Sequence, residues 1–264
     1  MSILKRNLAP FGGEVWEAIG EEAKKVFERR LTSRKIADYV GAKGLEFAAI
    51  GTGKTTALKE TLGDVAVYAR EVLKVLELKT SFVLKREEID LIERGAKAFD
   101  NSAIVEAAKA LSDAENSIVF NGFKKEGIVG ILPAMTQKAV KAQGDDILPA
   151  VAEAIIALKD EGVEGPYILA VQPQYYGKLF SVGEGYPLTK RLNELLDGGG
   201  AIRSSAIKNG AIVISVRGGD YEILGGADIS LGFEKETAQG VELFFFETLT
   251  FRVNTPEAAV LLQW

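Results

Sequence analysis

The 264-residue chain is predicted to form an α+β fold. Residues 14–31 and 100–119 place apolar side chains every three or four positions, as amphipathic helices do. Residues 76–84 and 241–253 instead follow the two-residue period of strands. Between these parts, residues 145–216 alternate helical and strand patterns, which indicates a subdomain of its own. At roughly 150 residues per domain, the length allows one large domain or two intimate ones.

The first helix carries a single apolar stripe over about 18 residues. Its members are Trp16, Ile19, Ala23, Phe27 and Leu31. The arm before it, up to Pro10, has no period of its own and is expected to lie across another part of the protein. After the helix, residues 34–40 are predicted to form a short strand that ends at Gly41.

The weakest pattern lies in residues 43–76. A predicted strand over residues 45–50 is followed by Gly51-Thr52-Gly53 and a polar segment, and the next strand pattern begins at Leu76. Two strands around a polar middle indicate a long hairpin or extended loop. Because such a loop buries little within its own subunit, it is expected to find partners elsewhere.

The remaining elements have ordinary start and stop signals. A short helix over residues 86–94 is expected to end at Gly95, and the long helix to begin at an N-cap on Asp100 or Ser102. In the subdomain, helices are predicted over residues 148–158 and 188–195, and strands over residues 167–171 and 211–216. Later strands are predicted over residues 221–224, 228–234, 241–253 and 260–262.

The composition excludes several classes of function. Without cysteine, the chain has no disulfide, thiol nucleophile or thiolate metal site. Without histidine, it has no Ser-His or Cys-His catalysis, so an enzyme with this sequence would have to use carboxylates, lysine, tyrosine or a phosphate-binding backbone. No catalytic or metal-binding residue is predicted. The net charge of −5 argues against a nucleic-acid partner. No apolar segment approaches the ~18 residues of a membrane span, and the first residues lack a signal-peptide pattern, so a cytoplasmic protein is expected.

One short run, residues 48–55, fits a relaxed phosphate-loop pattern. In that interpretation Lys54 would contact the outer phosphate and Thr55 a magnesium ion. A phosphate loop opens a helix, however, whereas residues 56–63 are short, polar and soon broken by a glycine. No strand ends convincingly in the acidic magnesium ligand. A glycine turn at the tip of a hairpin is favoured, and a phosphate-loop NTPase is kept as an alternative.

Arg34 and Asp38 are four positions apart, which places them on the same side of either a helix or a strand. With Phe27 and Leu31 just before them, they could form the charged rim of an apolar groove suited to a short peptide. A plain surface ion pair, worth about 0–1 kcal/mol, is an equally good interpretation. The residues alone leave both interpretations open.

Several segments spread over the whole chain have an order and spacing typical of one family. They are Leu4-Lys5-Arg6, Leu8-Ala9-Pro10, Trp16, Phe27, Arg34-Lys35-Ile36-Ala37-Asp38, Ile92-Glu93-Arg94-Gly95, Gly162-Val163-Glu164-Gly165-Pro166-Tyr167, Gly185-Tyr186-Pro187-Leu188, Arg217-Gly218-Gly219-Asp220-Tyr221, Glu247-Thr248-Leu249-Thr250-Phe251 and Pro256-Glu257-Ala258. On these segments the chain resembles the encapsulins, bacterial and archaeal shell proteins that include the linocin-type bacteriocins. That family is related to the tailed-phage major capsid proteins.

The resemblance implies a tailed-phage major-capsid-like fold with a peripheral domain, an axial domain and an extended loop that pairs with a neighbouring subunit. The N-terminal arm, the first helix and the start of the peripheral domain would occupy residues 1–42, and the extended loop residues 43–76. The peripheral domain would continue over residues 77–135, with the long helix as its spine. Residues 136–220 would form the axial domain and residues 221–264 the peripheral-domain sheet.

The resemblance also implies a function. The chain would be the subunit of an icosahedral nanocompartment of roughly 60 copies, with pores for small substrates or ions. Chemistry would belong to an enclosed cargo enzyme, a ferritin-like iron oxidase or a dye-decolorizing peroxidase, and the chain itself would not be an enzyme. The cargo's C-terminal targeting peptide would dock on the inner wall. The matching positions are Phe27, Leu31, Arg34, Asp38 and Ile229.

Two further sets of residues follow from the resemblance. The loop at the five-fold pore is expected at Gly183, Glu184, Gly185, Tyr186 and Lys190, and inter-subunit contacts of the extended loop at Gly51, Gly53, Lys54 and Tyr68. Some family members stack a flavin on a tryptophan of the extended loop. Val67 stands at that position here, so no cofactor is expected. A prophage major capsid protein of the same fold, enclosing DNA in a larger shell, is the first alternative.

Overall fold

The structure of the protein, a computed structural model, describes residues 3–142, 147–180 and 188–264. Its α-helices are α1 (Gly13–Arg30), α2 (Arg86–Glu93), α3 (Ser102–Asn121), α4 (Ile131–Ala134), α5 (Leu148–Asp160), α6 (Pro173–Tyr176) and α7 (Leu188–Leu195). Its strands are β1 (Asp38–Val40), β2 (Ala49–Leu62), β3 (Val65–Lys74), β4 (Leu76–Lys85), β5 (Val140–Lys141), β6 (Tyr167–Val171), β7 (Ala201–Arg203), β8 (Ala211–Ser215), β9 (Tyr221–Gly225), β10 (Ser230–Thr237), β11 (Gly240–Val253) and β12 (Ala259–Gln263). In the described ranges no helix is both long enough and apolar enough to cross a membrane.

The first sheet is organised by β11, which pairs antiparallel with β4, β9 and β10. Strands β4 and β10 accompany its N-terminal half and β9 its C-terminal end, and β1 pairs parallel with β9. Most side chains on both faces of β11 are buried, which its run of apolar residues allows. The predicted strand over residues 241–253 is confirmed. The N-terminal arm lies against this sheet, where the Phe233 amide donates to the Leu4 carbonyl at 2.8 Å.

Helix α3 connects the two apolar cores of the protein. Its first half contributes Ile104 and Leu111 to a core shared with α1, α2, β4, β10 and β11. Its last turns contribute Val119 and Phe120 to the core around the second sheet. The N-cap is Asn101, and neither Asp100 nor Ser102 as predicted. The Asp100 carboxylate still accepts the backbone N–H of Ser102, the first residue of the helix, at 3.1 Å. The predicted long helix is confirmed, and its side chains contribute to both apolar cores.

The second sheet has the order β5-β12-β8-β6-β7. Every side chain of β6 and β8 is buried, as expected for central strands that are covered on both faces. Helix α5 contributes Val151, Ala154 and Leu158 to the core of this sheet. The predicted alternation of helices and strands over residues 145–216 is confirmed for its described part.

Two predicted elements differ from the structure. Residues 34–37 are not strand, because the chain makes a 3-10 turn over Ser33–Lys35 before the short strand β1. That turn is held by α3, where Glu115 accepts the Ser33 hydroxyl at 2.7 Å and Asn116 accepts the Ser33 amide at 2.9 Å. Strand β12 does not join the first sheet with the rest of residues 221–264. It pairs with β8 and β5 and buries Val260 and Leu262 in the second core.

A hairpin lies within residues 43–76 as predicted, but its strands are β2 and β3, which form a two-stranded sheet of their own. The predicted strands differ, because β2 begins only at Ala49 and the strand that starts at Leu76 is β4, which pairs with β11. The strands of the hairpin turn at Gly63-Asp64, and most of its side chains are exposed. Apolar side chains are among those exposed: Leu58, Leu62, Val65, Tyr68 and Val72. A two-stranded ribbon is marginally stable by itself in water, so this surface needs a partner.

The run from Gly51 to Thr55 lies inside β2, where the β2–β3 register shifts, and not at the hairpin tip as predicted. The shift is a local irregularity at which Gly53 adopts a positive φ of 78°. Strand β2 continues to Leu62, so no helix follows the run. A phosphate loop presents its anion site at a helix start, and the phosphate-loop interpretation therefore has no structural basis here.

Candidate functional site

A groove of about 590 Å³ lies between α1 and the β10–β11 part of the first sheet. Its apolar lining comes from Ala23, Phe27, Leu31, Ile229, Leu231 and Phe245. Its polar lining comes from Lys24, Glu28, Arg34, Lys35, Asp228 and Ser230. An apolar lining with charges around it is suited to a ligand that has apolar side chains and a polar backbone.

One face of α1 supplies the first wall of the groove. Positions 20, 23, 24, 27, 28 and 31 recur at steps of three or four residues, which places them in one row along the helix. Gly20 stands at one end of this row, and a Cβ at that position would meet nothing within 4 Å. The missing side chain therefore keeps part of the groove open.

The second wall is a cross-strand pair. Leu231 of β10 lies directly opposite Phe245 of β11, so both side chains are on the same face of the sheet. The ring of Phe245 is stacked on Phe82, with centroids 5.0 Å apart, and meets the ring of Phe27 edge-on at 5.4 Å. The ring of Phe245 therefore connects the two walls of the groove and supports Phe27 from the sheet side.

Arg34 links the groove to three carboxyl groups, of which Glu115 and Glu247 are buried. Its guanidinium donates to both oxygens of Glu115 at 2.9–3.1 Å, to Asp228 at 2.8 Å and to Glu247 at 3.2 Å. The same group lies over the ring of Tyr39, 4.5 Å from its centroid. Arg34 is therefore held rigidly, and most of its charge is balanced by the protein itself.

The carboxyl groups of Glu115 and Glu247 are both inaccessible to solvent, at 0% and 1% exposure. Burial raises the pKa of Glu247 well above its ordinary value of 4.5, the neighbouring Glu115 raises it further, and Arg34 opposes the shift in part. Glu247 therefore keeps its proton more readily than an exposed carboxyl group. That proton lets two buried carboxyl groups share one guanidinium.

Glu247→Gln is expected to remove a pH-dependent loss of stability. Because the native pKa of Glu247 lies above its unfolded value, the native state holds a proton that the unfolded chain releases. The wild type should thus lose stability as pH rises from the unfolded pKa, about 4.3, toward the native pKa, by up to about 1.4 kcal/mol per pH unit. The glutamine stays neutral, so its melting temperature should rise relative to wild type between about pH 5 and about pH 8.

Thermal unfolding of wild type and Glu247→Gln at about pH 5 and about pH 8 measures this difference in melting temperature. Glu161→Gln is the control, because it removes an exposed carboxyl group from the end of α5, away from Arg34. Equal pH responses of the two variants would contradict the assignment of the raised pKa to Glu247.

The structure brings four of the five sequence-predicted groove residues together: Phe27, Leu31, Arg34 and Ile229. Asp38 is not among the groove residues, since its carboxylate accepts the backbone N–H of Gly219 at 2.6 Å. The alternative interpretation, a surface ion pair between Arg34 and Asp38, is wrong. The turn after Ser33 separates the directions of the two side chains, and Arg34 pairs with three other carboxyl groups.

Sequence reasoning did not find the groove residues Gly20, Asp228, Leu231 and Phe245 or the buried partners Glu115 and Glu247. For one of these residues, Glu247, the sequence did contain a signal of a buried charge. Glu247 is the single charged residue between Phe244 and Thr250, on a strand that is otherwise apolar there. A carboxyl group in such a strand needs a buried partner, but nothing local identifies Arg34 as that partner.

The other sequence-predicted residues lie elsewhere. Gly51, Gly53, Lys54 and Tyr68 lie on the β2–β3 hairpin, where Tyr68 is exposed and the Thr52 hydroxyl accepts the Lys54 amide. Gly183, Glu184, Gly185 and Tyr186 lie outside the described residues, and Lys190 lies in α7. Over the ranges that the structure describes, no three His, Cys, Asp or Glu side chains are arranged to hold a metal ion.

Comparisons with known proteins agree over nearly the whole chain. A family model described as "Encapsulating protein for peroxidase" matches residues 1–250. The type 1 encapsulin shell protein of Rhodococcus erythropolis is 36% identical over 265 residues, which cover 99% of this chain and 100% of the relative.

Two solved structures share the fold. A virus-like particle from Pyrococcus furiosus has a TM-score of 0.64 at 22% identity, covering 95% of this chain and 100% of that one. The capsid of Myoviridae phage XM1 has a TM-score of 0.58 at 12% identity, covering 88% and 91%. At these identities, the likeness shows a common capsid-like fold.

Proposed function

Because the chain belongs to the encapsulin family of nanocompartment shell proteins, we propose that its groove holds the C-terminal targeting peptide of an enclosed cargo enzyme. The chain is a shell subunit with a capsid-like fold, and such subunits assemble into a multimeric shell around cargo. The observation that carries the proposal is the groove itself, which combines an apolar lining, an open position at Gly20 and the fixed guanidinium of Arg34.

The shape of the groove suits an extended peptide better than a compact ligand. Apolar peptide side chains would bury against Phe27, Leu231 and Phe245, with a gain of about 25 cal/mol per Å² of apolar area. Lys24 and Glu28 on one wall and Asp228 on the other offer charges of both signs to the peptide backbone and ends. Such rim charges contribute to orientation and selectivity more than to affinity.

The proposed shell is icosahedral, has roughly 60 copies, lies in the cytoplasm and has pores that admit small substrates or ions. The proposed cargo is a dye-decolorizing peroxidase or a ferritin-like iron oxidase, and the subunit's own role is structural. The description of the matching family as an encapsulating protein for peroxidase supports the first cargo class. Relatives named as shell proteins, and not as phage capsid proteins, favour this role over the prophage alternative.

No flavin is part of the proposal. The family's stacking position in the hairpin is Val67, whose aliphatic side chain offers no aromatic plane. The neighbouring Tyr68 is 62% exposed and is not enclosed by its own subunit. These residues do not fit a flavin ring.

Gly20→Leu tests the groove by filling it. We expect shells of normal size that contain at least about tenfold less cargo, because the added side chain enters the open part of the groove. The substitution does not weaken α1, since leucine is a better helix former than glycine by about 0.8 kcal/mol. The measurement is the ratio of co-purifying enzyme to shell protein, with haem absorbance or iron content identifying the cargo class.

Gly13→Leu is the matched control. It makes the same change at the start of the same helix, where a Cβ also meets nothing within 4 Å, but Gly13 does not line the groove. Its shells should load cargo normally. Normal loading of Gly20→Leu shells would overturn the groove assignment.

A further inference from the structure

A second cavity, of about 430 Å³, lies where the end of α1 meets β7 and the start of α6. Four cationic residues from three parts of the chain line it: Arg29, Arg30, Lys35 and Arg203. Thr32, Tyr176 and Ser205 add hydroxyl groups to the lining. We call this cavity the basic pocket.

The described residues neutralise only one of these cations. Arg30 donates to the two oxygens of Asp113 at 2.9 and 3.0 Å, and Asp113 also accepts the hydroxyl of Ser205 at 2.9 Å. Among the residues that the structure describes, no carboxylate lies within 4 Å of the charged groups of Arg29, Lys35 or Arg203. Three positive charges around one cavity are therefore left unbalanced by the described part of the chain.

Arg30, which lines the pocket, also has a buried donor without an acceptor among the described residues. The Nε of Arg30 is inaccessible to solvent and has no hydrogen-bond partner in the described part of the chain. An unmet donor on a charged group is unfavourable. An oxyanion in the basic pocket would supply negative charge next to Arg30 and to the other cations.

The C-terminal end of α1 explains why two of the four cations of the basic pocket stand where they do. Arg29 and Arg30 belong to the last turn of α1, where cations interact favourably with the helix dipole. That effect does not apply to Lys35, which follows in a separate turn, or to Arg203, at the end of β7. Their convergence on one cavity needs another cause.

We propose that the basic pocket binds a diphosphate group, either as inorganic pyrophosphate or as part of a nucleoside diphosphate. Guanidinium groups recognise phosphate oxygens through paired N–H donors, and three unbalanced cations match the charge of a diphosphate. The cavity is larger than one phosphate, so it also has room for the second phosphate or an ester substituent. The site is separate from the groove, and only Lys35 lines both.

Calorimetric titration of intact shells with pyrophosphate, at constant ionic strength, tests the proposal. We expect saturable binding, weakened at least about tenfold by Arg203→Gln and by Lys35→Gln. Lys208→Gln, a matched loss of one exposed lysine outside the pocket, should bind like wild type. Light scattering confirms that each variant still forms shells.

A parallel titration with ADP distinguishes the two sources. Equal affinity for ADP and pyrophosphate would assign the ligand as the diphosphate group alone, and tighter binding of ADP would assign it as a nucleotide. No saturable binding of either compound up to about 10 mM would overturn the proposal. An equal loss of affinity in Lys208→Gln would overturn it as well, because the interaction would then be a general charge effect.

Discussion

Removal of residues 56–69, with Thr55 joined to Arg70 through two glycines, is expected to abolish shell assembly and leave the rest of the chain folded. Thr55 and Arg70 are paired across β2 and β3, so the deletion shortens the hairpin without breaking its base. The removed part forms no strand pair with either large sheet. Both apolar cores lie outside it.

The physical reason is the surface that the hairpin leaves uncovered in one subunit. Leu62 is 75% exposed and Val65 63% exposed, on either side of the turn at Gly63-Asp64. Apolar side chains grouped in this way mark an interaction surface, and in a closed shell the available partner is another copy of the chain. We therefore expect their removal to take away a contact between neighbouring subunits.

Light scattering and negative-stain microscopy measure assembly, and cooperative thermal unfolding measures whether the shortened subunit is folded. Leu62→Ser with Val65→Ser should impair assembly in the same direction, while Thr61→Ser, a polar change at the same tip, should not. Closed shells of normal size from the deleted chain would refute the role of the hairpin.

Arg34→Ala is expected to destabilise the subunit by about 3–5 kcal/mol. The substitution leaves Glu115 buried without its cation and removes the partner of Glu247 and Asp228. Breaking a buried ion pair costs more than the pair contributes, because the remaining charge keeps its desolvation penalty. A raised pKa lets Glu247 become neutral, so the residual cost should come mainly from Glu115.

Denaturant unfolding of the isolated subunit, or the melting temperature of the shell, measures this loss. Arg86→Ala is the control, since Arg86 pairs with Glu236 at 2.7 Å on the surface and such pairs contribute about 0–1 kcal/mol. Adding Glu115→Gln to Arg34→Ala should recover part of the loss by removing the unpaired charge. A loss no larger than that of Arg86→Ala would contradict the buried cluster.

Arg34→Ala is unsuitable as a test of cargo docking, whereas Gly20→Leu is suitable. Because Arg34 supports the fold beneath the groove, its removal changes stability and docking at once. Gly20→Leu changes the groove and leaves the cluster intact. Loss of cargo in that variant therefore reports on the groove alone.

Most of the secondary structure could be predicted from the sequence. The 18 residues of α1, the 20 of α3 and the strand β11 follow the periods of their apolar side chains. Prediction was wrong where a distant contact decided the local conformation. The turn at Ser33 depends on Glu115 and Asn116 of α3, and β12 joined the second sheet through its pairing with β8.

Some residues of the candidate site could likewise be predicted from the sequence and others could not. Phe27 and Leu31 were predictable as groove residues because they continue one helical stripe, whereas Leu231 and Phe245 become neighbours only through strand pairing. The basic pocket had no signal in the sequence, since Arg30 and Arg203 are brought together by packing of α1 near β7.

The sequence by itself determined the helices, the strands, the projecting hairpin and, through its lack of histidine and cysteine, the classes of catalysis that this protein cannot use. Tertiary structure alone decided the partners of Arg34, which lie 81, 194 and 213 positions away along the chain. The reason is physical. A periodic pattern shows which face of one helix or strand is buried. The register between these elements, however, is set by packing over the whole core, and it decides which charged side chains meet.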